Sequence, residues 1–174
     1  MSDAHDPPWP EILAALQGEG EQAAYACLCR SWPFPWMAAR LSAHLLHPEN
    51  AAGPSLRDIV CRLSARGQEA KWTPCTLPGA ASGKHVGIVG AGPAGLAATV
   101  ALLQRGHAVT LYEQSDQLGG MPQLVIRAQR CPDVEPEIYA VLQPALDAGC
   151  LQLRFGHELG RNIGLDILRA SHAA

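Results

Sequence analysis

Apolar residues along the 174-residue chain follow two different spacings. Before about residue 72 they recur at helical intervals. Glu11 to Arg30 is compatible with helix, interrupted at Gly18 and Gly20, and Trp32-Pro33-Phe34-Pro35-Trp36 breaks the run while supplying bulky anchors. Met37 to His47 predicts a further helix, and Asn50 to Pro54 a loop. Ser55 is placed to cap a helix over Leu56 to Arg66 that Gly67 ends. Thr73 to Gly83, TPCTLPGAASG, has the composition of a linker. Past it the pattern changes. His85 to Val89 is a short, β-branched apolar run of the kind expected for a buried parallel strand. Leu96 to Arg105 predicts a helix stopped by Gly106, and Ala108 to Tyr112 a second strand. Val134 to Ala148 predicts a helix with Pro136 tolerated in its first turn and Pro144 a possible kink point. Leu151 to Phe155 predicts a third strand and Asp166 to Ala170 the start of another helix.

Between the first strand and its helix lie Gly90, Gly92 and Gly95, in the spacing G-x-G-x-x-G, and Glu113 closes the second strand eighteen residues after Gly95. Each part has a mechanical reason. Gly90 allows a tight turn out of the strand, Gly92 lets backbone approach a diphosphate, and Gly95 lets the helix lie close to the sheet. The helix N-terminus offers free N–H groups and the positive end of its dipole to the phosphates. Glu113 is placed to accept hydrogen bonds from a ribose hydroxyl pair, and an acid there disfavours a 2′-phosphate. Strand, triplet, helix, strand and terminal acid together predict a dinucleotide-binding unit. The fold class expected is α/β, a partial Rossmann-type parallel sheet preceded by a small α-helical domain. The expected domains are 1–72, helical; 73–83, linker; and 84–174, the first part of the dinucleotide domain.

Composition narrows the function classes. Hydrophobic residues make up 48% and charged residues 17%, enough apolar material for a packed core. A net charge of −3 gives no reason to expect nucleic acid or an anionic membrane as partner. No apolar run reaches the ~20 residues of a bilayer span. The start MSDAHDPPWPE is unlike a secretory signal, and six scattered cysteines form no disulfide framework, so a cytoplasmic location with reduced thiols is expected. Cys27-x-Cys29 is the only close cysteine pair, and His44 and His47 share a helical face without a third ligand; no metal site is expected. No residue qualifies as a nucleophile, general acid or general base.

GKHVGIVGAGPAGLAAT, GHAVTLYE and LGGMP, in that order, resemble the FAD-binding half of the glutamate synthase small subunit family, which includes the reductase portion of dihydropyrimidine dehydrogenase. The resemblance implies that Gly90, Ala91, Gly92, Pro93, Ala94, Gly95, Glu113 and Gln114 hold the ADP half of FAD. It also implies that Leu118, Gly119 and Gly120 lie along the cofactor toward the flavin. SWPFPWMAARLSAHLLHPEN resembles the family's cluster-binding segment, with Pro33-Phe34-Pro35 and Arg40 kept. At its four thiolate positions stand Ala38, Ser42, Leu46 and Asn50; all four thiolates are absent and Ala and Leu cannot replace them, so no iron–sulfur cluster is expected. By the same resemblance the NAD(P)H domain is absent from this chain, and the strand that would follow the first strand's outer side is missing. The expectation is an exposed first-strand edge with unpaired backbone, covered by a protein partner. The function expected is an FAD-binding component of a flavin-dependent NAD(P)H oxidoreductase, an electron-transfer or accessory subunit incomplete as a catalyst alone. Two alternatives stand beside it: a non-catalytic scaffold with a vestigial dinucleotide site, and a truncated piece of a full-length reductase.

Overall fold

The computed structural model describes residues 8–41, 55–72, 77–121 and 134–173. The chain divides into two compact units, Met1–Pro74 and Cys75–Ala174.

The first unit is helical: α1 (Trp9–Gly18), α2 (Glu21–Ser31), α3 (Pro35–Leu41) and α4 (Leu56–Glu69). Ile12 and Ala15 share the inner face of α1, and Ala24, Tyr25, Leu28 and Cys29 that of α2. Gly20, with φ at +97°, turns the chain between them. These residues meet Ala39, Val60 and Leu63 in one core. The Trp9 and Trp32 rings meet edge to face at 6.1 Å, and Glu21 bridges Arg62 at 3.6 Å and Arg66 at 3.4 Å on the surface. Ser55 does cap α4: its hydroxyl accepts from the Asp58 N–H at 3.2 Å while the Asp58 carboxylate accepts from the Ser55 N–H at 3.0 Å. Gly67 does not end the helix. It lies buried inside α4, where an added β-carbon would sit 2.7 Å from the Tyr25 ring, so glycine serves close packing rather than termination. The predicted helix from Met37 runs instead from Pro35 to Leu41; its remainder, the Asn50–Pro54 loop, His44, His47, Ser42, Leu46 and Asn50 all lie outside the described residues. Of the four thiolate-equivalent positions only Ala38 is described, half-buried on α3. Cys29 is buried, and the Cys27 sulfur accepts from Arg30 at 2.7 Å.

The second unit is α/β, with β1 (His85–Val89), α5 (Pro93–Leu103), β2 (Ala108–Tyr112), α6 (Glu135–Asp147), β3 (Leu151–Arg154) and α7 (Leu165–Ser171). The strands are parallel in the order β1-β2-β3, with His85 opposite Ala108 and Val109 opposite Leu151. β2 follows β1 by way of α5 and β3 follows β2 by way of α6, helical crossovers of the kind parallel pairing requires. Val109, Thr110 and Leu111 on the central strand are buried, as are Leu96, Val100 and Leu103 of α5, while Thr110 faces the other side of the sheet and meets His85 Nε2 at 2.8 Å. Ile138, Val141, Leu142 and Ala145 bury the inner face of α6, which carries Pro144 within it. Ser82 at the end of the linker segment ties back to the unit: its N–H donates to the Gly106 carbonyl at 2.8 Å and its hydroxyl meets His107 Nδ1 at 2.6 Å.

Two expectations about β1 need correction. It is half-buried rather than buried, and Val89 is 43% exposed, because β1 has a full partner strand on one side only. Its outer edge is also not wholly bare. After α7 the chain turns extended at His172 (φ −129°, ψ 156°), and the Ala173 N–H donates to the His85 carbonyl at 2.7 Å. The His172 ring lies over Gly87, where a β-carbon would come within 2.6 Å of it, and meets the His85 ring edge-on at 4.5 Å. Tyr112 Oη and His172 Nε2 are 3.1 Å apart. No helix among the described residues is long and apolar enough to cross a membrane.

Candidate dinucleotide site

The site is the turn at the carboxyl end of β1, where parallel α/β sheets leave a crevice for ligands. Gly90 leaves the strand with φ at +98°, and its N–H still reaches the Tyr112 carbonyl at 2.7 Å. Gly92 is the residue before α5, and its carbonyl accepts the first helical bond from the Leu96 N–H at 2.9 Å. Pro93 opens the helix, where its missing N–H costs nothing. Ala94 and Gly95 follow in the first turn, whose N–H groups have no partner within a helix and so face outward for an acceptor. Gly95 is fixed by contact: an added β-carbon would stand 1.8 Å from the Gly90 carbonyl oxygen. At Gly90 and Gly92 the opposite holds, since nothing lies within 4 Å of where a β-carbon would be. The space over the elbow is open.

Glu113 is turned inward, 7% exposed, with both carboxylate oxygens engaged. One accepts from the Ala91 N–H at 2.7 Å; the other accepts from the Ser115 N–H at 2.9 Å and the Ser115 hydroxyl at 3.0 Å. Burial works against its charge, yet the N–H groups of Ser115 and Ala91, the Ser115 hydroxyl and the Gln114 N–H outweigh it and hold the carboxyl below its ordinary range. Glu113 is therefore ionised and aimed before any ligand arrives. Oε2 accepts one of these hydrogen bonds to the two on Oε1, and is the oxygen with more room for a sugar hydroxyl.

The loop after β2 closes on the elbow from the other side. The Gly119 N–H donates to the Ala91 carbonyl at 2.9 Å, buried Leu118 anchors the loop, and Gly120 (φ +60°) would put a β-carbon 3.1 Å from Gly92 Cα. All eleven residues expected from the sequence thus fall at one place, on the elbow, on Glu113 with Gln114, and on the returning loop. Beside them is a hollow of about 340 Å³ lined by Val89, Gly90, Glu113, Gln114 and residues 157–159. Sequence reasoning missed His157, Leu159 and Ser115. The His157 N–H donates to the Glu113 carbonyl at 2.9 Å and its Nδ1 is 2.8 Å from the Phe155 carbonyl. A serine two residues after a strand-ending acid was the one readable signal, as a turn former able to bond backward. An open elbow, free first-turn N–H groups and a fixed anion beside a hollow fit the adenosine diphosphate portion of a dinucleotide. Among the described residues no group of three or more His, Cys, Asp or Glu side chains could hold a metal.

The second unit has the parallel strand–elbow–helix arrangement of a Rossmann-like unit, and the family described as an NAD(P)-binding Rossmann-like domain matches residues 88–123. Over a longer stretch the chain is similar to components of oxidoreductases. It is 42% identical over 67 residues to the glutamate synthase [NADPH] small chain of Bacillus subtilis, covering 38% of this chain and 14% of that protein. It is 35% identical over 99 residues to the NAD-dependent dihydropyrimidine dehydrogenase subunit PreT of Salmonella typhimurium, 56% of this chain and 23% of that protein. A putative glutamate synthase [NADPH] small chain of Cereibacter sphaeroides is 31% identical over 106 residues, 61% and 25% of the two lengths. The chain thus matches a quarter or less of the length of these three relatives.

Proposed function

We propose that this chain binds FAD through the β1–α5 elbow and acts as a flavin-carrying component of an NAD(P)H oxidoreductase like its relatives. The observation that carries the reading is the pairing of an open elbow at Gly92 with a charged, locked Glu113. The N–H groups of Ala94 and Gly95 bind the diphosphate, and the α5 dipole adds to the attraction. Glu113 orients the adjoining ribose and excludes a 2′-phosphate by charge. His157 and Leu159 border the space left for the base. The returning Leu118–Gly120 loop sets the width of the channel leading away from the diphosphate. FAD, when bound, supplies two-electron redox chemistry.

Gly92 offers a clean test. Its φ of −74° suits any residue, and nothing surrounds its missing β-carbon, so Gly92→Val should leave the fold intact while filling the ligand's path. Equilibrium dialysis of the full chain against FAD should show binding by the wild type and its loss in Gly92→Val, with unchanged thermal unfolding. Retention of FAD by the variant, or no binding by the wild type, would overturn the proposal.

A further inference from the structure

We infer that Ser115 is a positioning residue for the nucleotide site, the clamp that holds the Glu113 carboxylate charged and aimed at the sugar. The inference rests on the dinucleotide reading above and deepens it, because it names the residue that sets selectivity against 2′-phosphorylated nucleotides.

The geometry is specific to one oxygen of Glu113. The Ser115 N–H and hydroxyl both converge on Oε1, at 2.9 and 3.0 Å, while Oε2 is left to the Ala91 N–H. Without the pair on Oε1 the carboxylate could rotate about its last torsion, which has no strong staggered preference. The hydroxyl carries one proton and has a second acceptor, the Gln117 carbonyl at 3.0 Å, but an ionised acceptor makes the stronger hydrogen bond. The Gln117 N–H in turn approaches the Ser115 oxygen at 3.4 Å, so the same side chain stands between the end of β2 and the loop that carries Leu118, Gly119 and Gly120. Ser115 is itself exposed, so its side chain contributes little to the core and its role lies in what it bonds.

The expected consequence is a charge that persists into acid. Two further titratable groups border the hollow, His157 and Glu158, the latter paired with Arg161 at 3.0 Å. Neither hydrogen-bonds the Glu113 carboxylate, whose donors all come from Ala91, Gln114 and Ser115. A carboxylate with a depressed pKa keeps its repulsion of a 2′-phosphate down to low pH. Removing one donor lets it take a proton sooner, and the repulsion fades at a higher pH.

The experiment compares wild type, Ser115→Ala and Ser115→Thr in the full chain, with ADP-ribose and its 2′-phosphorylated form as probes. NMR titration of the Glu113 carboxyl without ligand should move upward in pH for Ser115→Ala and return to the wild-type curve for Ser115→Thr. ADP-ribose affinity should fall roughly tenfold in Ser115→Ala, the scale of one hydrogen bond to a charged group. The preference for ADP-ribose over the 2′-phosphorylated form should narrow in that variant as pH falls, and stay constant in wild type and Ser115→Thr over the same range. An unchanged Glu113 titration in Ser115→Ala, or a threonine variant that behaves like alanine, would overturn the inference. If neither probe binds the wild type, the dinucleotide reading fails, while the titration of the unliganded protein still decides the role of Ser115.

Discussion

Two glycines sit inside helices of this protein with no room for a methyl group. Gly67 in α4 faces the Tyr25 ring at 2.7 Å, and Gly95 in α5 faces the Gly90 carbonyl at 1.8 Å. Both distances are too short for a real contact, the second far more so, and the neighbours differ in kind. A tyrosine ring ends a side chain that can swing by a few tenths of an ångström. The Gly90 carbonyl is backbone pinned into the sheet by its own N–H bond to Tyr112. In the helical unit glycine relieves packing, so its replacement is a matter of degree. In the α/β unit it lets a helix start against a strand, and its replacement removes the geometry on which the site is built.

The sharpest way to break this contrast is Gly95→Ala. It should cost more than the about 1–3 kcal/mol typical of overpacking and abolish the cooperative thermal transition of the α/β unit, read by circular dichroism. A variant unfolding within a degree or two of wild type would refute the close approach. Leu28→Ala, at a fully buried position of the helical core, should cost about 2–5 kcal/mol in denaturant unfolding while dinucleotide binding to the surviving folded fraction is unchanged. Gly67→Ala should cost only about 1 kcal/mol, because displacement of Tyr25 is offset by the roughly 0.5–1 kcal/mol that alanine gains over glycine within a helix. Ser55→Ala should cost a similar ~1 kcal/mol through loss of the α4 cap, visible as fraying of that first turn in amide exchange.

The smallest effect concerns His172. Burial, then the neighbouring His85 ring, lower its pKa, so the docked arrangement favours the neutral ring. Its Nδ1 is buried with no hydrogen-bond partner among the described residues, so an added proton there would be unsatisfied. The stabilisation of the Ala173–His85 contact is therefore full above the ordinary imidazole pKa of about 6.5 and lost as pH falls below it toward the lowered value. Amide exchange at Ala173, corrected for its intrinsic rate, should quicken over that fall; an increase in protection would reverse the sign.

Much of the α/β unit was legible because its signals are local. A β-branched run, glycines at fixed offsets and an acid at a strand end each report a constraint within a few residues. The limits of α5 and β2 followed to within a turn. What was misread depends on contacts distant in sequence. Gly67 reads as a helix stop until Tyr25, more than forty residues earlier, is seen against it. The β1 edge reads as bare until Ala173 is seen donating to His85, eighty-eight residues away. Ser115 escaped notice for another reason: a serine in a turn is ordinary, and only the direction of its hydroxyl distinguishes it.

The hydrogen bond from the Ala91 N–H to Glu113 joins two tasks that nucleotide recognition usually lets us treat apart. One end of that bond belongs to the elbow proposed to cradle phosphorus oxygens, the other to the carboxylate proposed to hold the pentose. Loosening either end shifts its counterpart, so lesions at the two should not sum: a double variant should do little more harm than the worse single one. On the proposed function, a nucleotide's tail and its sugar would be held as a single mechanical object.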